Sequence, residues 1–216
     1  MSSVYSKSLK DIFSFDVIIF VINMTLLSLI VSIGFINYFW EDLALIIQSY
    51  LSWIPWEWIQ TSGANLIVFI FSYMIFLITL SIFNSLFSEK LLIKLAKKSY
   101  PKAIIKGSPN IINSLIITIK SSIIFIILFI IFIPLLFIPI LGQVLIVYLW
   151  SILLKKPTIY DVGSLFINDK EELKEKRKKT TTLAMVASLF NYIPLLNTFA
   201  PIFVQILFLH HILGKR

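Results

Sequence analysis

The segment IPLLNTFAPIFVQ, residues 193 to 205, lies inside an apolar stretch that runs from Leu183 to Leu213. Two prolines, an asparagine and a threonine interrupt that stretch near its midpoint. Proline removes a backbone donor and clashes with the preceding turn, so no continuous helix is expected through Pro194 and Pro201. Earlier in the chain IPLLFIPILGQVL, residues 133 to 145, is broken in the same style. Around the later break, Leu183 to Ile193 makes about 16 Å of helix and Phe199 to Leu213 about 22 Å. Both fall short of a hydrocarbon core about 30 Å thick. The fold turns on these two breaks.

The solvent is fixed by composition. Hydrophobic residues make up 58% of the chain and the mean hydropathy is +0.93, which places most of it in a bilayer. Val17 to Ile36 and Leu66 to Phe87 are each long enough to cross. Lys7 and Lys10 before the first run suggest a signal peptide, but the run is too long and no small-residue cleavage site follows. It reads as a retained anchor.

The net charge of +8 is distributed as a membrane topology demands, and no nucleic acid is expected as a partner. Lys7, Lys10, and the cluster Lys90, Lys94, Lys97, Lys98, Lys102 and Lys106 flank the first two spans. The linker 41–63 between them holds Glu41, Asp42 and Glu57 but no base, so it is expected outside and the N-terminus inside. Trp40, Trp53, Trp56 and Trp58 beside that linker read as an interfacial aromatic belt.

Further along, Ser85 to Tyr100 has the pattern of an amphipathic helix at the inner surface, where its lysines meet membrane lipid, and Pro101 should stop it. Ser108 is the expected cap of the next helix, with Pro109 in its first turn. The third apolar region, 111–154, is interrupted by Pro134, Pro139 and Gly142. The segment 155–182 is charged and expected to be cytoplasmic, with a helix capped by Asn168 and Glu171 at the capping-box position. Lys215 and Arg216 place the C-terminus inside as well.

Aligned on Pro139 and Pro201, the breaks read PILGQVLIVYL and PIFVQILFLHH, so Gln143 and Gln205 each stand one turn beyond a proline. A broken helix within a bilayer leaves backbone groups that hydrocarbon cannot satisfy, so something polar must face it. The restarting helices aim free N–H groups inward, which favours an anion. Gly142, Gln143, Asn197, Thr198 and Gln205 are therefore candidate substrate contacts; equally, the two tips could satisfy each other. Lys120 joins the candidates as a base within an apolar run. Asp16 is either its partner or a charge at a helix N-terminus. His210 and His211 are adjacent, point to different faces, and read as helix-end polarity rather than a metal pair. There is no cysteine, and no catalytic constellation, metal site or cofactor motif appears.

KSLKDIF at residues 7 to 13, FIPILGQVLIVYLWSILLKKPTIYD at 137 to 161, KEKRKK at 174 to 179 and above all NYIPLLNTFAPIF at 191 to 203 carry a family resemblance. The chain resembles the CysZ-like sulfate permeases, which share a domain with the eukaryotic etoposide-induced membrane proteins. The resemblance implies one all-α integral membrane domain over 1–216, with two long transmembrane helices (17–39 and 64–87) and two proline-broken, half-penetrating helical hairpins (111–154 and 183–213). It further implies a cell inner-membrane location, a homo-oligomer, and uptake of a small anion such as sulfate. Relatives carry a glycine- and arginine-rich turn where this chain has FSFDVI with Asp16, an acidic residue ill suited to bind an anion. Two functions stay open at this point: a permease for a small inorganic anion, and a non-transporting scaffold whose lysine-rich face binds lipid or protein.

Overall fold

The computed structural model describes residues 2–136, 138–193 and 195–214, and these are all-helical. Pro194, Lys215 and Arg216, on which parts of the sequence reading fall, lie outside the described residues. In order come α1 (Ser2–Ile12), α2 (Phe15–Tyr50), α3 (Glu57–Phe87), α4 (Glu89–Ser99), α5 (Ile111–Leu136), α6 (Leu141–Phe166), α7 (Lys170–Lys176), α8 (Thr180–Ser188) and α9 (Ala200–Leu213). Short 3₁₀ turns at Arg177–Lys179, Leu189–Tyr192 and Leu196–Phe199 connect the last of these. Four stretches have the length and apolar composition of a membrane span: Phe15–Tyr50, Glu57–Phe87, Ile111–Leu136 and Leu196–Leu213.

The chain divides into two compact units, residues 25–80 and residues 1–24 with 81–216. The first holds the distal lengths of α2 and α3. These helices run well past the expected spans and turn most of the 41–63 linker into helix, leaving a turn at residues 51–56. At 36 and 31 residues, α2 and α3 extend about 54 Å and 46 Å. The turn is closed by Gln60, whose amide donates to the Ile54 carbonyl at 2.7 Å, and by Gln48 Nε2 to Thr61 Oγ1 at 3.3 Å. Trp53, Trp56 and Trp58 are exposed beside it.

The second unit is built around α9. Every residue from Ala200 to Leu213 is buried, which is how a helix apolar on all sides behaves when protein rather than solvent surrounds it. It packs against α1, α4, α6 and α8. Phe203 stacks on Phe190 with ring centroids 4.6 Å apart, and Ile12, Leu92, Leu165 and Ala187 complete the core around it. The amphipathic helix α4 buries Leu91, Leu92, Leu95 and Ala96 and ends before Pro101, as its pattern predicts, although Ser85 to Phe87 of the expected helix belong to α3.

Three boundaries differ from the sequence reading. The helix after the first break does not end at Leu154 but continues through Lys155, Lys156 and Pro157 to Phe166, because its later turns bury Val162, Leu165 and Phe166 in the core. The cap of α5 is Asn110, whose Oδ1 accepts from Asn113 N at 3.1 Å, not Ser108. The cap of α7 is Asp169, accepting from Glu171 N at 2.9 Å, not Asn168. In both cases the capping side chain is one that accepts from a backbone N–H two or three residues on.

The breaks themselves share a feature that the aligned prolines obscure. Ile140 (φ 66°) and Leu195 (φ 69°) are the non-glycine residues with positive φ among those described, and each follows a proline in sequence. Both are about four-fifths exposed, at 80% and 82%. The matching points are therefore Ile140 and Leu195, and Gln143 and Gln205 fall at different distances beyond them. Gly142 closes the first break: a Cβ there would collide with the Leu136 carbonyl. Gly142→Ala should accordingly cost about 1–3 kcal/mol, read as a lowered thermal midpoint in detergent. Gly34→Ala, where nothing lies within 4 Å, should leave that midpoint unchanged or raised. Equal effects of the two would show that the first turn is not closely packed.

Candidate functional site

Small polar side chains gather where α3, α5, α6 and α9 meet. Asp161 on α6 is 1% exposed. Ser85, in the last turn of α3, donates to its Oδ2 at 2.6 Å, and Ser114, in the first turn of α5, donates to its Oδ1. Thr118, one turn along α5, lies 3.2 Å from the Ser85 hydroxyl and donates to the Ser114 carbonyl at 2.9 Å. Gln205, buried at 3% exposure on α9, points its Nε2 at Asp161 Oδ2 from 3.5 Å, while its Oε1 has no hydrogen-bond partner. Among the described residues no cationic side chain pairs with Asp161. A buried carboxylate held only by neutral donors is costly, and such an arrangement is kept where charge or a proton must be handled.

A second buried acid lies between α1 and α9. Asp11 Oδ2 is 2.9 Å from His210 Nε2, and His210 Nδ1 is 3.0 Å from the Tyr100 hydroxyl. His210 is 0% exposed. Burial first, and the charge of Asp11 second, push the Tyr100 hydroxyl above its ordinary pKa range, so it keeps its proton and can donate to Nδ1. That leaves Nε2–H to donate to Asp11. Lys98 Nζ stands 4.0 Å from Asp11 Oδ1, and Lys7 Nζ lies 4.8 Å from the centre of the Tyr100 ring. His210, in the last turn of α9, is thus more than helix-end polarity: it links α1 to the central helix.

The candidates named from sequence are distributed over three places. Gly142 is buried and Gln143 exposed at the start of α6, and the Gln143 carbonyl accepts from the Tyr192 hydroxyl at 2.7 Å. Asn197 and Thr198 sit half-buried in the second break, where Thr198 Oγ1 donates to the Leu195 carbonyl at 2.7 Å. Tyr192 therefore joins one break to the other, and Thr198 closes the second on itself. Gln205 is elsewhere, against Asp161, which lies about 27 Å of helical rise beyond Gln143 along α6. Lys120 is exposed on α5 among exposed isoleucines, including Ile116, Ile119 and Ile123, and forms no ion pair among the described residues. Asp16 pairs with Lys94 of α4 at 2.8 Å rather than with Lys120.

Sequence reading missed Asp161, Ser85, Ser114 and Thr118, together with the chain Tyr100, His210 and Asp11. One signal was present: Asp161 is the single acid between Glu89 and Asp169. Hydroxyl residues spaced along α3 and α5 carry no such signal, since most buried serines in helices simply bond back to their own backbone, as Ser122 and Ser188 do.

The family described as Sulfate transporter CysZ/Etoposide-induced protein 2.4 matches the chain over residues 4–201. No curated protein and no solved structure matches it.

If His210 fastens α1, His210→Leu should cost about 3–5 kcal/mol, because Asp11 would stay buried without its closest partner. Amide exchange over residues 2–12 should accelerate in step with the lost stability. Lys98→Met, at the longer and exposed contact, should stay within about 1 kcal/mol of the parent. Unchanged exchange in the histidine variant would refute the latch.

Proposed function

The chain belongs to the Sulfate transporter CysZ/Etoposide-induced protein 2.4 family, and from that premise we propose that it is an inner-membrane permease for a small inorganic anion, sulfate among them. Membership, together with a basic side chain on an apolar helix face, carries this reading: Lys120 stands about 14 Å of helical rise into α5, where an ammonium group is costly unless it serves a solute or reaches the interface. In the proposed assembly of identical copies, a neighbour covers this face of α5 and completes the anion path, with the two joined breaks at its end. Their helix N-termini and the Gln143 side chain supply neutral donors there. A scaffold has no comparable use for an intramembrane lysine.

The proposed arrangement has α2 and α3 crossing fully and the two later hairpins entering from the inner side without crossing. Its dimensional support lies in the first arm of the second hairpin, since α5 and α6, at 26 residues each, are long enough to cross. From Thr180 to Tyr192, α8 and its 3₁₀ extension reach roughly 20 Å, below a 30 Å core, while α9 with the 3₁₀ turn before it, Leu196–Leu213, reaches about 29 Å and packs against α1, α4, α6 and α8. Lysines before α2, on α4, in the 101–110 loop and through 170–179 then all lie on the cytoplasmic side, as does the C-terminus.

Purified protein in vesicles should take up sulfate, thiosulfate or chloride faster than empty vesicles do. Lys120→Met should slow that uptake by tenfold or more, whereas Lys97→Met on the exposed face of α4 should change it less than twofold, since surface charge is screened over about 8 Å. Parent vesicles no faster than empty ones would end the permease reading.

The geometry has its own check, made clean by the absence of cysteine. An impermeant maleimide added outside should label Ser52→Cys but not Leu195→Cys. Labelling of both would mean that the second break emerges on the outer face.

A further inference from the structure

Beyond the anion path, we infer that the cluster of Asp161, Ser85, Ser114, Thr118 and Gln205 is a binding site for a small hard monovalent cation, sodium. Counting protons and lone pairs leads there. The Ser85 and Ser114 hydroxyl protons are both spent on the Asp161 carboxylate, and the Thr118 proton is spent on the Ser114 carbonyl. Each of these hydroxyl oxygens keeps lone pairs. The carboxylate can accept about four hydrogen bonds and receives two close ones. Gln205 Oε1 is buried and unpartnered, on an amide already directed at Asp161, and a half-turn of that amide exchanges its nitrogen for the oxygen. The interior therefore holds a surplus of oxygen acceptors and one negative charge, with nothing positive among the described residues to meet it.

Oxygen-only ligands of this type, a carboxylate with hydroxyls and an amide carbonyl, are what hard cations select. Charge selects among them. One sodium ion cancels one carboxylate and leaves the cluster neutral, whereas calcium or magnesium would leave an uncompensated positive charge in an apolar bundle. The ligands come from four helices, α3, α5, α6 and α9, so occupancy ties the central helix to its surroundings. Site and stabilisation do not depend on the anion reading; only a use of the ion to drive anion uptake rests on it.

The test uses the full chain in detergent, with sodium chloride compared against equimolar choline chloride and potassium chloride. Binding to the folded state alone raises the unfolding midpoint by mass action. We expect a sodium-specific rise of about 5 °C or more at saturating salt, absent in Asp161→Asn and reduced in Thr118→Val. Should Asp161→Asn fail to fold, Thr118→Val and the sodium-23 line width of the parent protein carry the same decision. A midpoint identical in the three salts, or a sodium effect undiminished in the folded variants, overturns the assignment. A parent midpoint that moves with pH but ignores sodium also overturns it and gives the cluster to a proton. Because none of these readouts involves flux, an absence of anion uptake leaves the result intact.

Discussion

A helix interrupted inside an apolar bundle must find partners for the backbone groups it frees, and this constraint shapes the second unit of the molecule. The interruption between α8 and α9 meets it in three ways. Residues 189–192 and 196–199 tighten into 3₁₀ turns, which keep intrahelical bonds where the α pattern fails. Thr198 bonds the Leu195 carbonyl, and Tyr192 reaches across to the Gln143 carbonyl of the other break. α9 is then wrapped by α1, α4, α6 and α8 so that no part of it from Ala200 to Leu213 meets lipid. The unusual placement of α1, an amphipathic N-terminal helix docked on the last helix of the chain, follows from that need for cover.

Much of this was readable in the residues. The apolar runs of α2 and α3, the amphipathic α4 ended by Pro101, and the two breaks follow from patterns of apolar residues and proline that have local causes. What could not be read depends on distant packing. Nothing local separates α6 from the charged segment, since Lys155, Lys156 and Pro157 look like an end; the helix continues because Val162, Leu165 and Phe166 have a core to enter. Pairing the breaks through Pro139 and Pro201 matched letters and missed geometry, because the left-handed residues are Ile140 and Leu195. Those two isoleucine and leucine positions adopt a conformation that usually calls for glycine, and each stands beside a proline that already limits the backbone. That misalignment made Gln143 and Gln205 look equivalent when one is exposed at a turn and the other faces a buried carboxylate.

The two buried acids show how differently one side chain can be used. Asp11 has the His210 Nε2–H within 2.9 Å and the Lys98 ammonium at 4.0 Å, partners supplied by the chain itself. Its role is mechanical: it holds α1 and α4 to α9. Asp161 has hydroxyls and an amide, none of which carries charge. Neutral donors soften the cost of burying a carboxylate but do not cancel it, because the effective penalty for an ion out of water is several kcal/mol. A fixed cation would have been the simplest compensation, and lysines are plentiful in this chain.

Among the described residues no lysine pairs with Asp161, which bears on the proposed transport. A permanent lysine partner would keep a positive charge beside the carboxylate at all times, as Lys98 does 4.0 Å from Asp11. A partner that arrives and leaves lets the same four helices exist in two electrostatic states, one neutral and compact, the other carrying an unmatched charge that favours loosening. The energy difference between those states is set by the occupant, and a ligand can bias a conformational equilibrium only by such a difference. The cluster joins α9, the helix on which the second unit is assembled, to α3 and α5, which like the stretch containing α9 have the length and composition of membrane spans. Of the two buried acids, Asp161 is therefore the one placed to change the arrangement of membrane helices, while Asp11 is placed to resist change.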